Sequence, residues 1–291
     1  MKYVILGHEN PDVDSIVSGY ILEKIMRNRS YDVEYIVPDD YVAIDTVKLL
    51  KKYNLDVNKF KKNINKDDVD GYILVDHHER TELNKIIAII DHHPTINNYS
   101  NNLYYKNEFA SSTAILIALD CIDELDKEDI KLVCLATLID TASFNSTKTR
   151  ESDISWVKNM CQKYGFDYEK LYWDGLCLTD MVDINNSVFN GLKKYVFFNN
   201  NIHSSYIQVE SLKNYEDIVN KCLDLLKDYV IKNNIDLFVF IVYDMTCFYT
   251  KVFKINKNDI FCDEYDKYAS RGSTIIPKLE MEFMERNKRS C

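Results

Sequence analysis

The chain has 291 residues, 46% of them hydrophobic and 28% charged, with a formal net charge of −10; this is the balance of a globular protein with a substantial core and the length of about two domains. No run of about 18 apolar residues occurs, which argues against a membrane-spanning helix. The acidic charge disfavours nucleic-acid binding through phosphate contacts, and an anionic substrate would need metal ions and local cations to offset the repulsion.

Met1 leads almost at once into Tyr3-Val4-Ile5-Leu6, too short for a secretion signal, so a cytoplasmic location is expected. Eight cysteines, at 121, 134, 161, 177, 222, 247, 262 and 291, form no C-x-x-C pair and read as reduced, mostly buried thiols. The 21 tyrosines read as packing residues.

Lys2–Leu6 is predicted as a strand and Ser15–Met26 as a helix, with Ile16, Tyr20, Ile21 and Ile25 at helical spacing. A strand at Val33–Val37 and a helix at Ala43–Lys52 follow. Gly71–Val75 and Ile86–Ile90 are short apolar runs suited to the centre of a parallel sheet. Ser111–Leu125 and Asp129–Leu138 read as helices split by Asp126-Lys127-Glu128, an acidic helix start; Glu151–Tyr164 is a further helix. This βαβ rhythm predicts a doubly wound α/β domain with a mainly parallel sheet over residues 1–180. Asp180–Asn190 is polar and non-periodic and is placed as the linker. Beyond it, residues 190–291 read as a smaller α+β domain: a strand at Ser204–Val209, an amphipathic helix at Tyr215–Asn233, and a hairpin of Leu237–Tyr243 and Cys247–Phe253. Asn97-Asn98, Asn101-Asn102 and Asn199-Asn200-Asn201 read as loops or turns.

Five of the six histidines, at 8, 77, 78, 92 and 93, lie in three Asp-containing clusters, each following an apolar run. The first is Gly7-His8-Glu9-Asn10-Pro11-Asp12-Val13-Asp14-Ser15. Pro11 favours an extended or turned loop from which His8, Asp12 and Asp14 can converge. By itself this segment fits helix capping by Asp14 or Ser15 equally well. The second and third clusters, Asp76-His77-His78-Glu79 and Asp91-His92-His93-Pro94, fall where strands should end, the edge at which open α/β sheets bind ligands. Asp140 ends an apolar helical run, where an acid opposes the helix dipole and a metal would compensate.

His8, Asp12, Asp14, Asp76, His92 and Asp140 together offer two imidazoles and four carboxylates. This mixed set suits Mn²⁺ or Co²⁺ better than thiolate-seeking metals or a pure Mg²⁺ or Ca²⁺ cage. It is too large for one metal with open positions and fits two ions about 3.5–4 Å apart with one shared carboxylate.

His8-Glu9-Asn10-Pro11-Asp12-Val13-Asp14-Ser15, Val75-Asp76-His77-His78-Glu79, Asp91-His92-His93 and Ile139-Asp140-Thr141 resemble the DHH phosphoesterase superfamily. In order and spacing they look most like the manganese-dependent family II inorganic pyrophosphatases. The resemblance covers most of residues 1–175. It implies that His8 and Asp12 ligate one metal, that Asp14, His92 and Asp140 ligate the other, and that Asp76 bridges them. His93 would act in catalysis and contact the phosphoryl group. His78 stands where the family usually has Asn and would change the surroundings of Asp76. The second domain would be the substrate-binding, DHHA2-like one, with the active site in the cleft between the domains. Its Ser270-Arg271-Gly272-Ser273-Thr274-Ile275-Ile276-Pro277 aligns with a Ser-Arg-Lys-Lys-Gln-Val-Val-Pro signature, so Arg271 is retained and two lysines are lost. Lys193 aligns with another family lysine.

The resemblance thus implies hydrolysis of a phosphoanhydride, foremost inorganic pyrophosphate to two orthophosphates, by a hydroxide generated between two Mn²⁺ ions, with Co²⁺ or Mg²⁺ as substitutes. It also points to a homodimer. The altered 272–274 segment motivates a short-chain exopolyphosphatase of the prune type as the alternative. A nucleotide or cyclic-dinucleotide phosphodiesterase fits less well, because only Gly191 and Gly272 lie beyond residue 180 and no Gly-Gly-Gly-His signature can form. A non-catalytic phosphate or nucleotide sensor is the reading from outside enzymology. Lys106, Lys148 and Arg150 could also approach the substrate, although a solvated surface charge is the weightier reading for each.

Overall fold

The computed structural model describes residues 1–37, 42–63, 68–78, 83–94, 104–176, 178–179 and 181–290. Glu79, Asn97-Asn98, Asn101-Asn102, Cys177, Asp180 and Cys291 lie outside the described residues. The chain divides into two compact units, Met1–Leu176 and Cys177–Cys291.

The first unit is built on five strands: β1 (Lys2–Leu6), β2 (Asp32–Ile36), β3 (Gly71–Val75), β4 (Ile86–Asp91) and β5 (Tyr104–Asn107). They lie side by side in the order β2-β1-β3-β4-β5, and every pairing is parallel. The side-chain alternation of the central strands sorts them onto two apolar faces. Ile5, Ile73, Val75 and Ile90 join the larger cluster, which also draws in Ile16 and Val17 of α1 (Val13–Asn28). Val4, Leu6, Leu74 and Ile89 join a second cluster with Val69 on the opposite face. Both faces are therefore buried, as the continuous apolar runs predict.

Helices α2 (Ile44–Lys52), α3 (Thr113–Cys121), α4 (Lys127–Asp140), α5 (Glu151–Tyr164) and α6 (Tyr168–Gly175) complete this unit. The acidic start foreseen at 126–128 is a full capping box: the Asp126 side chain accepts from the Asp129 N–H, and the Asp129 side chain accepts from the Asp126 N–H. Gly165, at φ 68°, closes α5 in the left-handed region open to a residue without Cβ. The helix expected to run to Leu125 stops at Cys121, and residues 122–124 tighten into a 3₁₀ turn.

The second unit pairs strands β6 (Lys193–Phe197), β7 (Asn200–Val209), β8 (Leu237–Asp244), β9 (Tyr249–Ile255) and β10 (Ile260–Tyr265) in the order β10-β9-β8-β7-β6. Only β7 and β8 run parallel; the other neighbours are antiparallel. Its core places Val219, Cys222, Leu226 and Val230 of α8 (Glu216–Lys232) against Phe238, Phe240 and Val242 of β8. A short helix, α7 (Ile184–Ser187), stands where the sequence reading has a non-periodic linker; its start is capped by the Asp183 side chain, which accepts from the Asn186 N–H. The unit ends in α9 (Ile276–Ser290), led in by a wide π turn over Arg271–Ile275.

Candidate metal centre

In the first sheet, β1 has β2 on one side and β3 on the other. The loops leaving the ends of β1 and β3 therefore part company there, which makes the point a natural ligand crevice. His8 and Asp12 follow β1, Asp76 follows β3, and His92 and His93 follow β4.

The six candidate ligands fall into two clusters, His8, Asp12 and Asp76 in one and Asp14, His92 and Asp140 in the other. In the first, His8 Nε2 lies 3.5 Å from Asp12 Oδ2 and 3.5 Å from Asp76 Oδ2. In the second, His92 Nε2 lies 3.3 Å from Asp140 Oδ2 and 3.9 Å from Asp14 Oδ2. Asp76 turns its other oxygen, Oδ1, to within 3.5 Å of the same His92 nitrogen. One carboxylate thus faces both clusters. The side chains of Asp14, Asp76 and His92 are each 2% exposed while that of Asp12 is 54% exposed, so the first cluster is the open side of the centre.

Local structure explains each position. Asp76 leaves β3 with φ 62°, a left-handed turn that Asp tolerates better than most residues, and Thr113 Oγ1 donates to its Oδ1 at 3.1 Å. Asp14 is buried on α1 and accepts the first N–H groups of α3, Thr113 N at 2.7 Å and Ala114 N at 2.9 Å. A helix N-terminus so aimed favours a carboxylate. The cap of α1 is Asp12, not Asp14 or Ser15: its Oδ1 accepts from Ser15 N at 3.1 Å, while Oδ2 faces His8. Capping and facing the cluster are therefore done by different oxygens of one side chain.

The two histidines are set up alike. His8 Nδ1 donates to Glu9 O at 2.7 Å and His92 Nδ1 donates to Ala110 O at 2.9 Å. A carbonyl can only accept, so the proton is fixed on Nδ1 and the Nε2 lone pair is presented to the carboxylates. His92 Nε2 is buried and makes no hydrogen bond. A lone pair facing three carboxylate oxygens is repulsive unless a cation lies between them. Burial, with the Asp140 and Asp12 carboxylates added, pushes the Asp14 carboxyl up against the pull of His92. Burial and the crowding of Asp14, Asp12, Asp140 and Asp91 push Asp76 well above the usual carboxylate range. These residues fit divalent cations of the Mn²⁺ type, which would remove both penalties.

A third cluster of Asp76, His92 and His93 also has ligand spacing. In it, however, His93 Nδ1 is held by Asp91 Oδ1 at 2.8 Å. The Asp91 carboxylate, fully buried, also accepts the His93 N–H at 3.1 Å and His78 Nδ1 at 2.5 Å. Although burial opposes it, these bonds hold Asp91 below the usual range. His78 is thus spent on Asp91. His77 turns to its own strand, Nδ1 to Val75 O at 3.0 Å.

Three cations read as solvated from sequence are not. Lys148 Nζ lies 2.9 Å and 3.2 Å from the two oxygens of Asp140, and Asp140 raises its ammonium against the effect of burial. Lys106 pairs with Asp120 at 2.6 Å. Arg150 pairs with the buried Asp153 at 2.7 Å. Thr113, Asp91 and Lys148 are the members of the site that sequence reading missed; for Thr113 the Ser111-Ser112-Thr113 run at a helix start was the available signal.

Lys193 and Arg271 belong to the second unit. Lys193 is exposed in β6, opposite Ser204 of β7. Arg271 donates to Gly191 O and lies over the Tyr206 ring at 5.2 Å.

Residues 2–139 match the model of the DHH family, N-terminal domain. A probable manganese-dependent inorganic pyrophosphatase of Bacillus licheniformis is 25% identical over 259 residues, covering 84% of this chain and 82% of that one. The manganese-dependent inorganic pyrophosphatase of Bacillus subtilis is 24% identical over 264 residues, with the same coverage of 84% and 82%. A solved structure from Methanococcus jannaschii, assigned to family II inorganic pyrophosphatases, superposes with a TM-score of 0.73 at 23% identity, covering 97% of this chain and 99% of that one. That likeness establishes the two-domain mixed α/β fold. Among the described residues, no helix is long and apolar enough to cross a membrane.

Proposed function

We propose that this chain, whose residues 2–139 match the model of the DHH family N-terminal domain, is a divalent-metal-dependent phosphohydrolase that splits inorganic pyrophosphate into two orthophosphates. The observation that carries the reading is Asp76, whose two oxygens face the two ligand clusters. The relatives named as manganese-dependent inorganic pyrophosphatases support both the metal and the substrate.

In this reading His8 and Asp12 hold one cation, Asp14, His92 and Asp140 hold the other, and Asp76 is shared between them. When bound, two such ions supply Lewis acidity to the phosphoryl oxygens and acidify a water molecule. The chain's own residues do the rest. Backbone carbonyls at Glu9 and Ala110 lock the two imidazoles in the tautomer that ligates. The α3 N-terminus and Thr113 fix Asp14 and Asp76 before substrate arrives, so little reorganisation is needed during reaction. His93 is anchored through Nδ1 to Asp91, and with its ring protonated Nε2–H would donate to a phosphoryl oxygen. Lys193 and Arg271, in the second unit, are proposed as phosphate ligands on the strength of the sequence resemblance.

The test is phosphate release from pyrophosphate by purified protein loaded with Mn²⁺. Wild type should turn over, and Asp76→Asn should lose on the order of 100-fold or more, beyond what removal of an outer partner of a ligand costs. Equal release from wild type and Asp76→Asn would refute the assignment. Tri- and tetraphosphate belong in the same panel: Gly272 and Ser273, which follow Arg271, are exposed and uncharged, and a preference for the longer chains would favour the exopolyphosphatase reading.

A further inference from the structure

We propose that Lys148 is a substrate-binding cation of this centre, one that takes a terminal oxygen of the anionic phosphate chain once divalent metal is bound. The inference rests on the metal-dependent phosphohydrolase reading above and adds a residue to it.

The starting point is how Lys148 reaches Asp140, eight positions back. Helix α4 ends at Asp140, and the chain then makes a left-handed excursion through Ala142, Ser143 and Phe144, at φ 47°, 52° and 70°. Such conformations are unfavourable for non-glycine residues and persist only where surrounding bonds hold them. Here they are held. Ser143 Oγ donates to Tyr172 O at 2.5 Å, and Asn145 N and Ser146 N both donate to Thr141 O at 2.9 Å. Further on, Lys148 N donates to Ser146 Oγ at 3.3 Å and Arg150 N to Ser111 Oγ at 2.9 Å. The loop is thus a built support that delivers one ammonium to the metal centre.

Charge decides what that ammonium is for. Asp12, Asp14, Asp76 and Asp140 carry four negative charges, and two divalent ions neutralise them. Lys148 is then surplus positive charge. It reaches both oxygens of Asp140, Oδ1 at 2.9 Å and Oδ2 at 3.2 Å, and Oδ2 also faces His92 at 3.3 Å. A metal taken up at Oδ2 would draw that oxygen away from the ammonium, leaving it bonded through Oδ1 with donors to spare. The Lys148 side chain is 30% exposed, so a ligand can reach it. In a chain of net charge −10, an anion gains from a fixed local cation that offsets the general repulsion.

The test uses three readouts on the full chain and on Lys148→Met, which keeps the stem and loses the charge, and Lys148→Arg, which keeps the charge. These are Mn²⁺ binding by calorimetry, binding of the non-hydrolysable methylenediphosphonate to Mn²⁺-loaded protein, and kcat and KM for pyrophosphate. Lys148→Met should weaken methylenediphosphonate binding and raise KM by tenfold or more, with Mn²⁺ affinity unchanged or tighter, and Lys148→Arg should recover part of the loss. Methylenediphosphonate affinity within twofold of wild type in Lys148→Met would overturn the proposal, and so would a loss confined to Mn²⁺ affinity, which would make Lys148 only a counter-ion of Asp140. If Lys148→Met does not fold, Lys148→Gln is read by the same criterion, and methylenediphosphonate affinity within twofold of wild type overturns the proposal. Wild-type protein that binds methylenediphosphonate through Lys148 yet does not hydrolyse pyrophosphate upholds the inference and refutes the activity; protein that binds neither refutes both.

Discussion

His78 Nδ1 lies 2.5 Å from Asp91 Oδ2, and the other oxygen of that buried carboxylate holds His93 through both its ring and its backbone N–H. The residue that departs from the resembling family's Asn is therefore tied to His93 through Asp91. An acid held on both oxygens has a fixed orientation, and it fixes the ring orientation of the histidine proposed to meet the phosphoryl group.

Asp91→Asn is accordingly expected to lower kcat by about 10- to 100-fold, because an amide cannot accept from both imidazoles. Mn²⁺ content should stay at the wild-type level, since Asp91 faces neither of the two ligand clusters assigned to metal. His78→Asn should cost less, as Asp91 keeps its bonds to His93. Steady-state kinetics together with metal analysis of the desalted protein decide the matter: wild-type kcat in Asp91→Asn would remove this role.

The two clusters have no residue in common and only Asp76 faces both, so they can be emptied separately. His8→Ala should lower bound Mn²⁺ from about two ions per chain to about one, and Asp140→Ala should do the same from the other side, while Asp76→Ala should weaken both. Elemental analysis after dialysis against low-micromolar Mn²⁺ gives the count. Loss of all metal in His8→Ala alone would show a single site in place of two.

Much of this centre was legible because parallel strands announce themselves. Gly71–Val75 is a continuous apolar run and it is strand β3 over those residues; the acids and histidines that follow such runs then fall at one sheet edge. Several of the elements that sequence reading missed have the opposite character, although the 15-residue helix α9 was missed as well. β5, β6 and β10 are edge or near-edge strands with exposed, polar or charged positions, so their pattern lacks the apolar run that marks β3. α6 has eight residues, little more than two turns over which to show a period. Lys148 was hidden for a different reason: its approach to Asp140 depends on consecutive left-handed residues, none of them glycine, and no local propensity encodes such a turn. Asp91 was visible as a residue of its motif, but its anchoring of two histidines from separate loops is a long-range relation.

Bound metal should also be visible as stability. Asp14 and Asp76 are buried among like charges, a strain that two cations relieve. At a free Mn²⁺ concentration 100 times the dissociation constant, each site adds about 2.7 kcal/mol, which for a unit of this size corresponds to a rise in Tm of roughly 5–10 °C per site. Thermal unfolding of chelator-treated protein, with and without added Mn²⁺, measures the shift. Asp76→Asn should abolish most of it, and a Tm that does not respond to Mn²⁺ at any concentration would argue against the whole centre.

Asp12 allows the structural and the metal role of one side chain to be separated. Its Oδ1 caps α1 by accepting from Ser15 N, and its Oδ2 faces His8. Asn is as good an N-cap as Asp, whereas Ala at such a position costs about 1 kcal/mol. Asp12→Asn should therefore leave the metal-free protein within about 0.5 kcal/mol of wild type in urea unfolding, because the amide oxygen can take over the bond to Ser15. Its Mn²⁺ affinity should nevertheless fall, since the neutral amide is a poor replacement for a carboxylate facing His8. Asp12→Ala should show the same loss of metal and, in addition, the loss of stability. Asp12→Asn with wild-type Mn²⁺ affinity would leave Asp12 as a helix cap alone and reduce the open cluster to His8 and Asp76.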